Sequence, residues 1–327
     1  MNIAVLGAGA WGTALAIGLG RQHALRLWTR DPAQAARLAS ARENERYLPG
    51  FVLPPGLQIT DDFSAAVDGA ELALVAVPLV GLRQTLAALR QAAPALPFLW
   101  LCKGLEAGSG LLPHQIAAME MPAAVPCGAL TGPSFAQEVA RGLPTALTLA
   151  SADGQFARSR VQQLSTPRLR IYSNDDVIGA EVGGAVKNVL AIATGIADGL
   201  GLGDNARAAL ITRGLAEITR FGLALGARRE TLMGLTGMGD LILTCTGDLS
   251  RNRRVGLALA SGRPLAAITA ELGHVAEGVL CASAVARRAA ALGIDMPITR
   301  AVCAVLEGKI SAAAAAEELM GRDPRQE

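Results

Sequence analysis

The turn Gly7-Ala8-Gly9-Ala10-Trp11-Gly12 constrains this chain more than any other segment. It follows residues 2–6 (NIAVL), a short apolar run that reads as a buried parallel strand. A helical run from Thr13 to about Arg21 comes after it. The pattern G-x-G-x-x-G is common by chance, and between a strand and a helix it predicts a dinucleotide-binding crossover. Gly7 allows the tight turn, Gly9 lets the backbone approach a pyrophosphate, and Gly12 lets helix and strand pack closely. The bland alternative is a glycine-rich packing turn. A second strand at 25–28 stands where a nucleotide-binding unit requires one.

Further apolar runs at 71–77, 98–102, 127–130 and 145–150 read as strands, with a helix at 79–91. Alternating strand and helix over this stretch predicts an α/β, Rossmann-type, doubly wound and mostly parallel sheet. The pattern changes near Ser173-Asn174-Asp175-Asp176. A helix over 174–198 is followed by helical runs at about 204–224, 251–260, 263–272, 277–292, 297–307 and 310–320. The expected organisation is an α/β domain over 1–175 and an all-helical domain over 176–327, linked by the 174–198 helix. A length of 327 residues suits about two domains.

The balance of charges excludes several classes. A net charge of +2 and 18% charged residues do not make a nucleic-acid surface. No run of 18 or more residues reads as both apolar and free of breakers, so no stable membrane insertion is expected. The N-terminus lacks a basic segment and a cleavage site, and reads as a strand rather than a signal peptide. Cys102, Cys127, Cys245, Cys281 and Cys303 are odd in number and contain no CxxC pair. They predict neither disulfides nor a metal site, and point to a reducing cytoplasm.

The chain has three lysines against 27 arginines. Arginine stays protonated, whereas a buried lysine can trade a proton. Lys103 follows a strand, where cations in open α/β sheets meet ligands, although a solvent-exposed strand-end lysine is the bland reading. Lys187 shares a helix face with Gly183 and Gly184, which signals a close neighbour, although a partly exposed helix lysine that snorkels is the bland reading. A nicotinamide cofactor moves a hydride, so a proton must move too. With three histidines in the chain, Lys187 is the first candidate for acid and base, with Asp240 to orient it or a substrate hydroxyl. Ser250, Arg251, Asn252, Arg253 and Arg254 form a donor cluster at a helix start, read as an anion site or as a basic capped end. After the second strand comes Arg30, then Asp31. An arginine there meets a 2′-phosphate, so NADP(H) is expected to be preferred over NAD(H), with a solvated loop arginine as the alternative.

Together these segments resemble the bacterial-type NAD(P)-dependent glycerol-3-phosphate dehydrogenases. The resemblance rests on GAGAWGTALA from 7, YLPG from 47, AVP from 76, KGLE from 103 and LTGPSFAQEVA from 130. It continues through the 181–217 block around VKN, GLTGMGDLILTCTGDLSRNRRVG from 234 and AEGV from 276. It implies interconversion of sn-glycerol 3-phosphate and dihydroxyacetone phosphate with NAD(P), in the cytoplasm, for glycerophospholipid precursor synthesis. It also implies that Lys187 is the proton acceptor. By the same resemblance Ala10, Trp11, Arg30, Lys103, Ala136, Arg251, Val275 and Glu277 contact cofactor. Lys103, Gly132, Ser134, Asp240, Ser250, Arg251 and Asn252 contact substrate. Ala10 departs from the family's usual serine and loses a hydroxyl near the pyrophosphate. Two rivals stay open at this point: a β-hydroxyacid dehydrogenase acting on a carboxylate, and a non-catalytic NADP(H) sensor. A homodimer is left open as well.

Overall fold

The computed structural model describes residues 1–272 and 276–321. The chain divides into two compact units. The first comprises residues 1–103 and 111–180, and the second residues 104–110 and 181–327.

The first unit is built on a sheet of eight strands. In chain order its strands and the separate hairpin are β1 (Asn2–Leu6), β2 (Ala24–Trp28), β3 (Glu43–Asn44), β4 (Leu48–Val52), β5 (Gln58–Thr60), β6 (Leu72–Val75), β7 (Phe98–Trp100), β8 (Cys127–Thr131), β9 (Thr145–Ala150) and β10 (Leu169–Asn174). The sheet order is β10-β9-β8-β7-β6-β1-β2-β5, and β3 and β4 pair apart from it. All pairings in the large sheet are parallel except β8 with β9. The expected doubly wound, mostly parallel sheet is the one found. Strands β5 and β10 and the β3–β4 hairpin were not anticipated.

Helices of this unit are α1 (Ala10–Leu19), α2 (Pro32–Ala41), α3 (Phe63–Val67), α4 (Leu79–Ala92), α5 (Pro113–Glu120), α6 (Ala136–Ala140) and α7 (Gly154–Leu164). The period of two in β1 explains how the layers form. Ile3 and Val5 join a core with Leu15, Leu19, Phe156 and Leu164, from α1 and α7. Ala4 and Leu6 join the opposite core with Leu82, Leu86, Leu89 and Ile116, from α4 and α5. Both faces of the central strands are covered, so their sequences are continuous apolar runs. Each fully buried Leu, Ile or Val contributes about 1.5–3 kcal/mol.

The second unit is helical. The chain enters it through α8 (Val177–Gly199) and continues with α9 (Gly203–Ala224) and α10 (Arg229–Leu232). A π-helical turn, Leu235–Gly239, leads into α11 (Asp240–Thr246), followed by α12 (Arg251–Ala260), α13 (Leu265–Leu272), α14 (Glu277–Ala291), α15 (Pro297–Leu306) and α16 (Ala312–Met320). Helix α8 is long and apolar enough to cross a membrane by length and composition, with Gly183, Gly184 and Gly195 inside it. Its most apolar window is 89% buried within the protein, as in a core helix. The arrangement around α8 depends on glycine. A methyl group on Gly195 would lie 2.1 Å from the Arg253 carbonyl oxygen, and one on Gly256 would lie 2.1 Å from that of Ile192. Helices α8 and α12 therefore meet backbone to backbone.

Helix α15 begins without a cap from its own flank. Glu217, buried on α9, supplies one. Its carboxylate accepts from Ile298 N–H at 2.6 Å, Thr299 N–H at 3.2 Å and the Thr299 hydroxyl at 2.9 Å. Burial pushes the Glu217 carboxyl above the usual carboxylate range, although these bonds and nearby Arg220 pull it down. A raised acid favours the protonated form in the fold, so its stabilisation is present at low pH and is lost as pH rises through the raised value. Glu217→Gln is therefore expected to gain stability relative to the parent chain as pH rises from about 4 toward neutrality. Urea unfolding of both proteins at several pH values measures this, and a difference that stays flat with pH contradicts it.

Candidate active site

The first unit holds a nucleotide-type turn after β1. Gly7 adopts φ +124°, a conformation open to glycine, and its N–H donates to Trp28 O at 3.0 Å. A methyl group on Gly12 would sit 2.1 Å from the Gly7 carbonyl oxygen, whereas one on Gly9 would meet nothing within 4 Å. Gly9 caps α1 with no side-chain partner, so the amides of Ala10 and Trp11 open the helix without a backbone acceptor among the described residues. Oriented amides at a helix start, a backbone that can be closely approached and a helix pressed onto its strand fit a dinucleotide pyrophosphate.

Beyond β2, Arg30 is exposed and makes no hydrogen bond or ion pair among the described residues. Asp31 caps α2, accepting from Ala33 N–H at 2.9 Å. Its carboxylate is thus partly committed, which leaves Arg30 as the open charged group after this strand. At the end of β7, Lys103 Nζ donates to Gly132 O at 3.3 Å. The Ser134 hydroxyl donates to the same oxygen at 3.1 Å. Ala136 opens α6 two residues later. The structure thereby gathers Lys103, Gly132, Ser134 and Ala136 into one cluster.

In the second unit, Lys187 of α8 is 7% exposed and Asp240 at the start of α11 is 1% exposed. Lys187 Nζ donates to Asp240 Oδ1 at 2.5 Å and to the Thr244 hydroxyl at 2.9 Å. That hydroxyl donates in turn to the Asp240 carbonyl at 2.6 Å, one helical turn back. Thr244 was missed from sequence; its position four residues after Asp240 is the signal that points to it. Cys245 beside this pair remains a thiol, because burial pushes it up to about 12. The close neighbour signalled by Gly183 is the π-helical turn preceding Asp240. A methyl group on Gly183 would lie 2.3 Å from Thr236 O and 2.9 Å from Gly237 Cα.

The Ser250–Arg254 cluster is divided in its commitments. Ser250 caps α12, accepting from Arg253 N–H at 3.2 Å. Asn252 Nδ2 donates to Asn188 Oδ1 at 2.9 Å, and its Oδ1 accepts from Gly278 N–H at 3.0 Å. Asn188 also donates to Glu277 Oε2 at 3.3 Å, so one network joins α8, α12 and α14. Arg253 is taken up by Asp198, with Nε 2.8 Å from Oδ2, and by Asp248 at 2.9 Å. Arg251 is exposed and makes no hydrogen bond or ion pair among the described residues. Val275 lies outside the described residues.

A glycine-rich nucleotide turn in one unit and a buried lysine–carboxylate pair in the other define a nicotinamide-linked oxidoreductase of two units. The chain belongs to the NAD-dependent glycerol-3-phosphate dehydrogenase family: the N-terminal family model matches residues 2–157 and the C-terminal one residues 176–317. It is 62% identical to glycerol-3-phosphate dehydrogenase [NAD(P)+] of Dechloromonas aromatica, covering 100% of this chain and 99% of that protein. It is 58% identical to the protein of that name from Nitrosospira multiformis, over 100% and 99%. The crystal structure of glycerol-3-phosphate dehydrogenase from Coxiella burnetii superposes with TM-score 0.94 at 42% identity, over 98% of this chain and 99% of that one.

The contact at Gly183 carries a test. Gly183→Ala forces backbone against backbone and is expected to cost about 1–3 kcal/mol of stability, as overpacking does. Urea unfolding followed by circular dichroism measures it; unchanged stability contradicts the contact.

Proposed function

We propose that Lys187 is the acid and base, held by Asp240, in this chain's interconversion of sn-glycerol 3-phosphate and dihydroxyacetone phosphate with NAD(P). The observation that carries the reading is the buried Nζ with two oxygen partners, Asp240 and Thr244. In the direction of reduction, C2 of the ketone gains a hydride and its oxygen gains a proton. The Lys187 ammonium donates that proton. In oxidation the neutral amine takes it back from the C2 hydroxyl. Asp240 fixes where Nζ stands and balances its charge, and Thr244 holds Nζ from a second side. An ammonium carries three hydrogens, and Asp240 and Thr244 orient the head that meets the substrate oxygen.

The nicotinamide supplies the hydride acceptor and donor. Gly7, Gly9, Ala10, Trp11 and Gly12 would hold its pyrophosphate, and Arg30 a 2′-phosphate. Lys103, Ala136, Arg251, Val275 and Glu277 are the further cofactor residues of this reading. Gly132, Ser134, Ser250, Arg251 and Asn252 serve the substrate, with Arg251 for its phosphate. The Ser250 hydroxyl accepts within the cap and keeps its own hydrogen to donate. Asn252 keeps one amide hydrogen after bonding Asn188. In this reading the enzyme works in the cytoplasm and makes glycerol 3-phosphate for glycerophospholipid precursors. Five free cysteines suit that compartment.

Lys187→Met is expected to lower kcat by about a hundred- to ten-thousandfold with NADPH affinity retained. Oxidation of NADPH by dihydroxyacetone phosphate, followed at the reduced-nicotinamide band, measures it, and a variant keeping a tenth or more of the activity would assign the proton to another group. Arg30→Ala is expected to raise KM for NADPH about tenfold and leave that for NADH within about twofold, as loss of a charge-assisted bond does. An unchanged ratio of the two efficiencies would remove Arg30 from the cofactor site.

A further inference from the structure

The segment YLPG at 47–50 and its neighbours take no part in the reaction above, yet they reach the glycine-rich turn. Asn44 on β3 is 2% exposed. Its Nδ2 donates to the Ala8 carbonyl at 3.0 Å and to the Thr13 hydroxyl at 2.7 Å. Its Oδ1 accepts from Tyr47 N–H at 3.3 Å, so the amide has one consistent orientation. From α2, Gln34 Nε2 donates to the same Ala8 carbonyl at 2.9 Å. Gln34 Oε1 accepts from the Thr29 hydroxyl at 2.6 Å. Two side-chain amides from outside the turn thus engage one carbonyl oxygen, and each is oriented by a further donor.

The engaged peptide lies between Gly7 and helix α1, which Gly9 opens. It joins Ala8 to Gly9 and follows Gly7, whose φ is +124°. Glycines on both sides of Ala8 leave its flanking dihedrals soft. In a trans peptide the N–H points opposite to the C=O. Holding the Ala8 carbonyl toward Asn44 and Gln34 therefore holds the Gly9 N–H on the opposite side. A peptide rotated the other way would present a carbonyl oxygen to an anion instead of an amide hydrogen, and the two repel.

We propose that Asn44 and Gln34 are positioning residues of the dinucleotide turn, which lock the Ala8–Gly9 peptide plane and so fix the Gly9 amide for a pyrophosphate oxygen. The inference rests on the cofactor reading above and adds residues that lie outside the G-x-G-x-x-G motif. It also gives the small hairpin a purpose. Leu48, buried at 1% exposure and paired with Asn44 across the β3–β4 ladder, anchors the strand that presents the amide. Tyr47 orients that amide through its backbone.

Asn44→Leu and Gln34→Leu remove the amides and their hydrogen bonds to the Ala8 carbonyl. Kd for NADPH and for NADH is measured by fluorescence titration, together with steady-state constants. Each variant is expected to raise both Kd values about tenfold and by a similar factor, since the pyrophosphate is common to both cofactors. The kcat at saturating cofactor and KM for dihydroxyacetone phosphate are expected to stay within about twofold. A merely structural role would lower stability and the active fraction without changing the Kd of the folded protein. Unchanged Kd values, a loss confined to NADPH, or a fall in kcat at full cofactor occupancy overturns the proposal. If Asn44→Leu does not fold, Gln34→Leu, at a half-buried position, decides it alone. Parent protein that binds neither cofactor would sink the cofactor reading itself.

Discussion

Taking an ammonium and a carboxylate out of water costs several kcal/mol per ion, and the cost is offset only when the two meet in good geometry with their other bonds made. Lys187 and Asp240 place that demand on the helical unit. Their heads must stand 2.5 Å apart although 53 residues separate them in sequence. The demand is met by several features acting together. Thr244 takes a second ammonium hydrogen. Gly183 lets the turn before Asp240 reach the backbone of α8. Cys245 stays neutral beside the pair and adds no charge. Without a partner, either charge would be buried and uncompensated.

The α/β unit solves a related problem with neutral groups. A turn that binds an anion must keep its carbonyl oxygens away from it, and glycines give the turn little stiffness of its own. The stiffness comes from elsewhere, through Asn44 and Gln34 on the Ala8 carbonyl. In both units the candidate site residues stand on neighbours that hold them. Asn188 extends the pattern by tying Asn252 and Glu277 to the residue after Lys187.

Where the determinants are local, they could be read from the chain. The strand–turn–helix at the N-terminus is spelled by consecutive residues, and β1, β6 and β7 are continuous apolar runs because both faces are covered. Lys187 stood out because lysine is rare here and two glycines share its face. Strand β5 escaped notice because three residues at a sheet edge carry little pattern. Strand β10 alternates buried and exposed residues, and its polar end merged with the cap signals that follow. Gln34 and Asn44 act through partners distant in sequence, which composition and spacing do not reveal. The donors of 250–254 looked equivalent. Only the fold shows Arg253 committed to Asp198, 55 residues before it, while Arg251 makes no hydrogen bond or ion pair among the described residues.

The burial of the thiols has a consequence for how this protein ages. Cys245 and Cys281 are fully enclosed and held near 12, and Cys303 near 11, so little thiolate exists at neutral pH. Oxidants and alkylating agents act on thiolate that they can reach. While the helical unit is folded, these three sulfurs are chemically silent. Once it opens, all three become ordinary thiols and oxidation can trap the open chain. Oxidative damage to this unit would then follow its unfolding, and a thiol reagent becomes a clock for how often it opens.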